Sequence, residues 1–451
     1  MNRLLKKYNL AAPRYTSYPP VPYWDTVPTP MQWEKKVKNI FVKTNNTEGI
    51  SLYIHLPFCE SLCTYCGCNT RITVNHQVEL PYMTAVLSEW SMYLSIMGET
   101  PRIRELHLGG GTPTFFSPGH LSQLLKSILS SATLCEDAAL SFEGHPDNTT
   151  VEHLEALYDL GFTRMSLGIQ DFDPVVQTAI HRFQSVEQVR EITEKARAIG
   201  YTSVNYDLIY GLPHQTEAGI EATFREVVLL RPDRIAFYSY AHVPWIKPGQ
   251  RSFTEANLPD PSTKQRLYEA GRNAFERAGY KEIGMDHFAL PNDELFKAVT
   301  NKTLHRNFMG YTPFRTDLLI GLGVSAISDA WSGFVQNEKK LEDYYHRILQ
   351  NELPFFKGHL LTESDRIIRH HILSLMCRFT TNWENPEDQC DDFQSIIERL
   401  SEMEIDGLIE LSENKLTITD KGKPFLRTIC MAFDIRLREE ARSKTVFSQT
   451  I

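Results

Sequence analysis

The sequence predicts an α/β fold built on a parallel sheet, preceded by an arm and followed by a smaller, mainly helical segment. Three observations predict it. From about residue 50, short apolar runs alternate with helix-period segments, the rhythm of βα units. Polar residues and glycines recur at or just after the ends of those runs, the edge on which βα folds build their sites. After about residue 360 the rhythm stops and amphipathic helices take over. Spacing alone suits either a (β/α) barrel or an open doubly wound sheet.

Residues 1–45 are rich in Pro, Tyr and polar residues without a clear period, and read as an arm laid over a larger body. The body, 46–360, carries seven candidate strands at 51–56, 103–108, 139–143, 164–170, 203–210, 234–240 and 281–285. Their length and β-branched or aromatic content suit buried strands. Between them lie helical stretches such as VEQVREITEKARAIG, which ends in Gly200, a helix-stop signal. In 361–451, two amphipathic helices precede two short strands around a turn and a last helix, the order of a winged helix.

A chain of 451 residues, 42% hydrophobic and 23% charged, is long enough for a large domain plus a small one. The net charge of −9 argues against nucleic acid or an anionic membrane surface as partner. No apolar stretch has the length of a signal-peptide core or a membrane span, so a cytoplasmic location is expected.

Of eight cysteines, four fall within ten residues, in Cys59-Glu-Ser-Leu-Cys63-Thr-Tyr-Cys66-Gly-Cys68, directly after the first apolar run. Such density in a large chain points to metal rather than disulfides. Thiolates ligate iron–sulfur clusters, and three of them leave one iron open to a substrate or cofactor. Zinc or redox thiols are the alternative, although Cys68 lies too close to Cys66 to reach the remaining corner of a tetrahedron easily. Cys135, Cys377, Cys390 and Cys430 read as small buried hydrophobes.

The CxxxCxxC loop, with Gly109-Gly110-Gly111-Thr112 ending the second apolar run, resembles the radical S-adenosylmethionine (SAM) superfamily. Over nearly the whole chain the stretches KYNLAAPRYTSYP, LYIHLPFCESLCTYCGC, ELHLGGGTPT, RMSLGIQDF, NYDLIYGLP, YAHVP, IGMDHFALPNDEL, LHRNFMGYT and LGVSAIS are similar to the oxygen-independent coproporphyrinogen III oxidase family. The resemblance implies a partial (β/α) barrel of the radical SAM type. It implies conversion of two propionates of coproporphyrinogen III to vinyls through a 5′-deoxyadenosyl radical, in heme biosynthesis. It further implies a 4Fe–4S cluster on Cys59, Cys63 and Cys66. Tyr53, Gly110, Gly111, Thr112, Glu143, Gln170, Arg182, Asp207 and Ala241 would surround SAM, with Tyr53 and Glu143 nearest the chemistry. Phe308, Met309 and Ile327 match contacts to a second SAM, and Arg14 is a candidate for a substrate carboxylate. A flavodoxin- or ferredoxin-type electron donor and a monomeric state are implied as well. A heme-binding chaperone of the same family is one alternative, and two departures keep open another, radical chemistry on a different tetrapyrrole such as heme. Met309 stands where the family has Gln, and Gly144-His145-Pro146 replaces a branched or acidic pair. Cys68 and the PRYTSYP arm speak against the chaperone.

Overall fold

The computed structural model describes residues 2–437. Its centre is a run of parallel strands: β1 (Ile50–Leu56), β2 (Arg102–Gly110), β3 (Thr133–Gly144), β4 (Phe162–Gln170), β5 (Ser203–Tyr210) and β6 (Arg234–Ser239). Beyond β6 the chain turns antiparallel, with β7 (Lys281–Gly284) and β8 (His287–Ala289) at one edge. It then returns to the other side of β1 as β9 (Leu319–Leu322), β10 (Ile327–Asp329), β11 (Gly333–Asn337) and β12 (Phe355–Leu360). The resulting order is β12-β11-β10-β9-β1-β2-β3-β4-β5-β6-β8-β7, with β9 parallel to β1 and the two ends of the sheet unpaired.

Alternation within the strands explains the curvature. In β5, Val204, Tyr206, Leu208 and Tyr210 are buried in the main core, while Ser203, Asn205 and Asp207 line an interior cavity. The same alternation sends Glu105 and His107, Ser141 and Glu143, Arg164 and Ser166, and Arg234 and Tyr238 into that cavity. Side chains from five consecutive strands facing one space make the sheet a curved wall. Helices Glu79–Met97, Pro118–Leu129, Val151–Tyr158, Val186–Ile199, Glu217–Leu230 and Pro261–Arg277 follow one another around its outside, each touching the next. This is a partial (β/α) barrel rather than a doubly wound sheet. The β7 run, expected as another barrel strand, lies instead in the antiparallel edge.

The first forty-five residues are more ordered than an arm without period suggests. Thr29 and Gln32 form a reciprocal capping box, Pro30 opens the first turn, and a helix runs over Pro30–Thr44. Its Trp33, Val37 and Phe41 are fully buried in the barrel core. The preceding stretch belongs to a second core, where Leu4, Tyr8, Tyr15 and Tyr18 pack with the C-terminal helices Glu363–Arg378, Phe393–Ile405 and Leu426–Phe433. Between the last two helices, Ile409–Ser412 and Lys415–Ile418 pair as a hairpin, joined by Thr380–Asn382 as a third strand. Among the described residues no helix is long and apolar enough to cross a membrane.

Candidate active site

The cysteine loop leaves the end of β1 and is closed at its base. Phe58 and Cys59 pair with Arg71 and Ile72, and the Thr73 amide donates to the Cys59 carbonyl at 2.9 Å. Its middle is tied down by Thr64, whose amide and hydroxyl donate to the Ile180 and Ala179 carbonyls, each at 2.9 Å. Gln250 donates to the Tyr65 carbonyl at 3.2 Å, and Lys247 to the Cys68 carbonyl at 3.1 Å. Both ends and the middle are therefore fixed by neighbouring elements.

The glycine turn is pressed against the same loop. The Gly111 amide donates to the Leu56 carbonyl at 2.9 Å and the Thr112 amide to the Phe58 carbonyl at 3.0 Å. A Cβ on Gly110, whose φ is +113°, would lie 2.5 Å from the His55 ring, and one on Gly111 would lie 2.6 Å from the Pro57 backbone. Only glycine permits this approach. His55 is buried, bonded to the Tyr53 hydroxyl at 3.1 Å and the Asn69 carbonyl at 2.9 Å, and burial lowers its pKa.

One cavity of about 480 Å3 collects most of the expected residues: Cys59, Cys63 and Cys66 with Gly110, Gly111, Thr112, Glu143, Gln170, Arg182 and Asp207. Donors face the thiols. The Thr112 hydroxyl lies 3.3 Å from Cys59 Sγ, and Arg182 Nη1 lies 3.8 Å from Cys63 Sγ. The Cys68 thiol, with help from Lys247 and Arg182, lowers the pKa of the Cys66 thiol despite its burial. Burial pushes Cys59 up to about 11 and raises Cys63 as well, so of the three thiols only Cys66 is held toward the thiolate, the ligating form. Among the described residues no three His, Cys, Asp or Glu side chains converge tightly enough for a single metal ion.

The far wall is carboxylate. Burial opposes ionisation of Glu143, yet the His107 imidazole, 3.4 Å away, and the Gly110 amide, donating at 3.2 Å, keep its pKa below the ordinary value. Asp207 accepts from the Ser166 hydroxyl and the Asn205 amide, each at 2.9 Å; burial, then the nearby Glu143 charge, still lifts it to about 6. Gln170 sits at φ +64°, a conformation that a non-glycine residue rarely holds outside a constrained site. Arg182 spends Nε and Nη2 on the Gly168 carbonyl. Burial, with Arg182 beside it, pushes His145 down to about 3, so its imidazole in this cavity is neutral.

Other expected residues stand apart. Tyr53 lies behind the glycine turn, its ring stacked on His107 at 6.0 Å. Ala241 joins the site through Gln250, which bridges its carbonyl and that of Tyr65. Met309 lines a deeper cavity of about 150 Å3, which shares Glu143, Ser166, Asp207 and Tyr238 with the first. Phe308 packs edge-on against Trp24 and Phe334, and Ile327 opens β10; neither lines the two cavities. Arg14 is not a solvated surface arginine. Its Nη2 donates to the Ser239 carbonyl at 2.6 Å, and its guanidinium lies over the Tyr238 ring. The sequence reading missed His107, Ser166, Asn205 and Tyr238. The available signal was a polar side chain at every second position of an otherwise apolar strand.

Comparison with known proteins agrees with this geometry. The radical SAM superfamily profile matches residues 53–227. The oxygen-independent coproporphyrinogen III oxidase of Escherichia coli is 36% identical over 99% of this chain and 98% of its own length. That of Pseudomonas aeruginosa is 37% identical with the same coverage. The solved structure of the Escherichia coli coproporphyrinogen III oxidase, described as a radical SAM enzyme, superposes with a TM-score of 0.90 and covers 96% of this chain and 98% of its own. This chain belongs to the oxygen-independent coproporphyrinogen III oxidase family, within the radical SAM superfamily.

Proposed function

We propose that the chain oxidatively decarboxylates two propionates of coproporphyrinogen III to vinyl groups, giving protoporphyrinogen IX. The observation that carries this reading is the single cavity in which three tethered thiols, the glycine turn and two half-buried carboxylates meet. Donors aimed at Cys59 and Cys63, and the acidified Cys66, suit a cluster held by those three thiols.

When bound, the cluster and SAM supply one-electron chemistry able to remove hydrogen from an unactivated carbon. The chain does the rest. Glu143, kept ionised by His107 and the Gly110 amide, faces the place for an ammonium. Asp207 retains lone pairs for a ribose diol, and Gly111 lets backbone approach the ligand. Tyr53 acts from behind, holding His55 and His107 against the turn. In this structure Arg182 serves Gly168 and Cys63, and its remaining N–H donors would be left for a SAM carboxylate. Residues 46–360 would form the catalytic barrel, and 2–45 with 361–437 would close it; 438–451, the end of the expected C-terminal domain, lie outside the described residues. A cytoplasmic monomer supplied with electrons by a flavodoxin- or ferredoxin-type protein completes the reading. A second SAM near Phe308, Met309 and Ile327 has the least support, since only Met309 lines either cavity.

Anaerobic incubation of the cluster-reconstituted protein with reductant, SAM and coproporphyrinogen III tests the proposal. Protoporphyrinogen IX formed in step with 5′-deoxyadenosine supports it. 5′-Deoxyadenosine with the porphyrinogen unchanged contradicts it and points to another tetrapyrrole, with heme first to be tried.

A further inference from the structure

Just past β6 the interior is crowded with positive charge. The Asp286 side chain is 14% exposed, and four cations act on it: Arg14, Arg427, Arg306 and Lys264. In a chain with a net charge of −9, this local excess of cations around one carboxylate is a departure. Three of the four have evident structural work. Arg427 donates to the Pro13 and Ala12 carbonyls and fixes the N-terminal segment. Lys264 donates to the Tyr240 carbonyl at 3.1 Å. Arg14 holds the Ser239 carbonyl, with Nη1 3.9 Å from Asp286.

Arg306 is different. It is only 6% exposed, and its Nε and Nη1 have no hydrogen-bond partner. The guanidinium lies 4.6 Å from the centre of the Tyr311 ring, which supplies a face but no acceptor oxygen for those two donors. Arg306 stands on the short strand His305–Asn307, paired with Gly310–Thr312. Met309 and Gly310–Thr312 line the deeper cavity together with His287 and Tyr238, and Arg306, through that pairing, stands directly behind the lining. Tyr238 also lines the cysteine-loop cavity and carries Arg14 over its ring. A buried guanidinium with idle donors is costly unless something receives them. Its planar fork matches a carboxylate.

We infer that Arg306, assisted by Arg14, receives a carboxylate of the substrate: a propionate that is not being oxidised while another reaches the cysteine-loop cavity. This rests on the proposed function, whose substrate carries four carboxylates, and adds the residues that recognise them. Arg306 is thus a substrate-positioning residue with no part in holding the cluster or SAM.

Steady-state kinetics of Arg306→Met, Arg306→Lys and the unaltered protein test the inference. Arg306→Met should raise KM for coproporphyrinogen III about 10- to 100-fold, the scale of a lost charge-assisted hydrogen bond. Iron content, SAM affinity and substrate-free SAM cleavage should stay unchanged, and Arg306→Lys should recover part of the loss. The melting temperature of Arg306→Met should not fall, because the group removed was unsatisfied. An unchanged KM, or a lower melting temperature with kcat and KM for both ligands disturbed together, overturns the inference and leaves a structural role. If the unaltered protein itself cleaves SAM but leaves coproporphyrinogen III untouched, the functional reading has failed and the inference falls with it.

Discussion

At the scale of single residues, the site works by setting protonation states inside a closed space. Asp207 is the most informative case. Its carboxyl sits at about 6, raised by burial and by Glu143, so it passes from carboxylate to acid just below neutrality. If the carboxylate form accepts the ribose hydroxyls, SAM affinity should hold above pH 7 and weaken progressively as the pH falls through 6. Asp207→Asn should bind SAM more weakly at pH 7.5, by roughly tenfold for a lost charged hydrogen bond, and should show a flat pH profile. Isothermal titration at several pH values checks this; equal pH dependence in both proteins removes Asp207 from the SAM site. The thiols make a second prediction. Replacing Cys59, Cys63 or Cys66 with Ala should each abolish iron binding and SAM cleavage, whereas Cys68→Ala should retain iron, since Cys68 acts on Cys66 rather than on a cluster. Iron and sulfide analysis after reconstitution decides between the two behaviours. These cysteines were legible because four thiols in ten residues have few explanations. His107 was not, because one polar residue in a strand is ordinary until neighbouring strands bring Glu143 and Tyr53 to it.

At the scale of elements, the parallel strands were readable and the antiparallel edges were not. Strands β1 to β6 are long, apolar and separated by helices, so each produces its own periodic signal. Strands β8 to β11 are three to five residues long, and their pairing depends on distant partners such as Phe288 against Ile235. The helix Pro30–Thr44 was missed although Trp33, Val37 and Phe41 repeat every four residues, because lysines and glutamate fill the positions between. Its capping box was the usable signal. Packing between elements carries a testable pH effect. Glu89, on the helix Glu79–Met97, is buried and accepts from the Gly323 amide at 2.8 Å, Asn337 at 2.6 Å and the Tyr344 hydroxyl at 2.8 Å, linking that helix to the β9–β11 edge. Burial raises its carboxyl from 4.5 to about 7 despite these donors. Folding thus favours the protonated form, so the stability it contributes is full below pH 4.5 and is lost as the pH rises through 7. The swing is roughly 3 kcal/mol. Urea unfolding of Glu89→Gln at pH 5 and pH 8 should show a smaller difference than the unaltered protein; an identical difference would contradict this account.

At the scale of the whole molecule, two cores are joined by one N-terminal segment. Leu4 to Tyr18 pack with the C-terminal helices, Trp33 to Phe41 pack with the barrel, and Arg14, within the first of these stretches, reaches the end of β6. Covering of the barrel by both chain ends is therefore coupled to the wall of the inner cavity. The cavities meet at Glu143, Ser166, Asp207 and Tyr238, so a substrate bound on the Tyr238 side stands beside the space framed by the cysteine loop. The central claim is that this space is where hydrogen leaves a propionate. Coproporphyrinogen III carrying deuterium on the β-carbons of its propionates, turned over anaerobically with SAM and analysed by mass spectrometry, tests it most directly. The account predicts deuterium in the 5′-deoxyadenosine released, in step with vinyl formation. Vinyl product accompanied by unlabelled 5′-deoxyadenosine would contradict it.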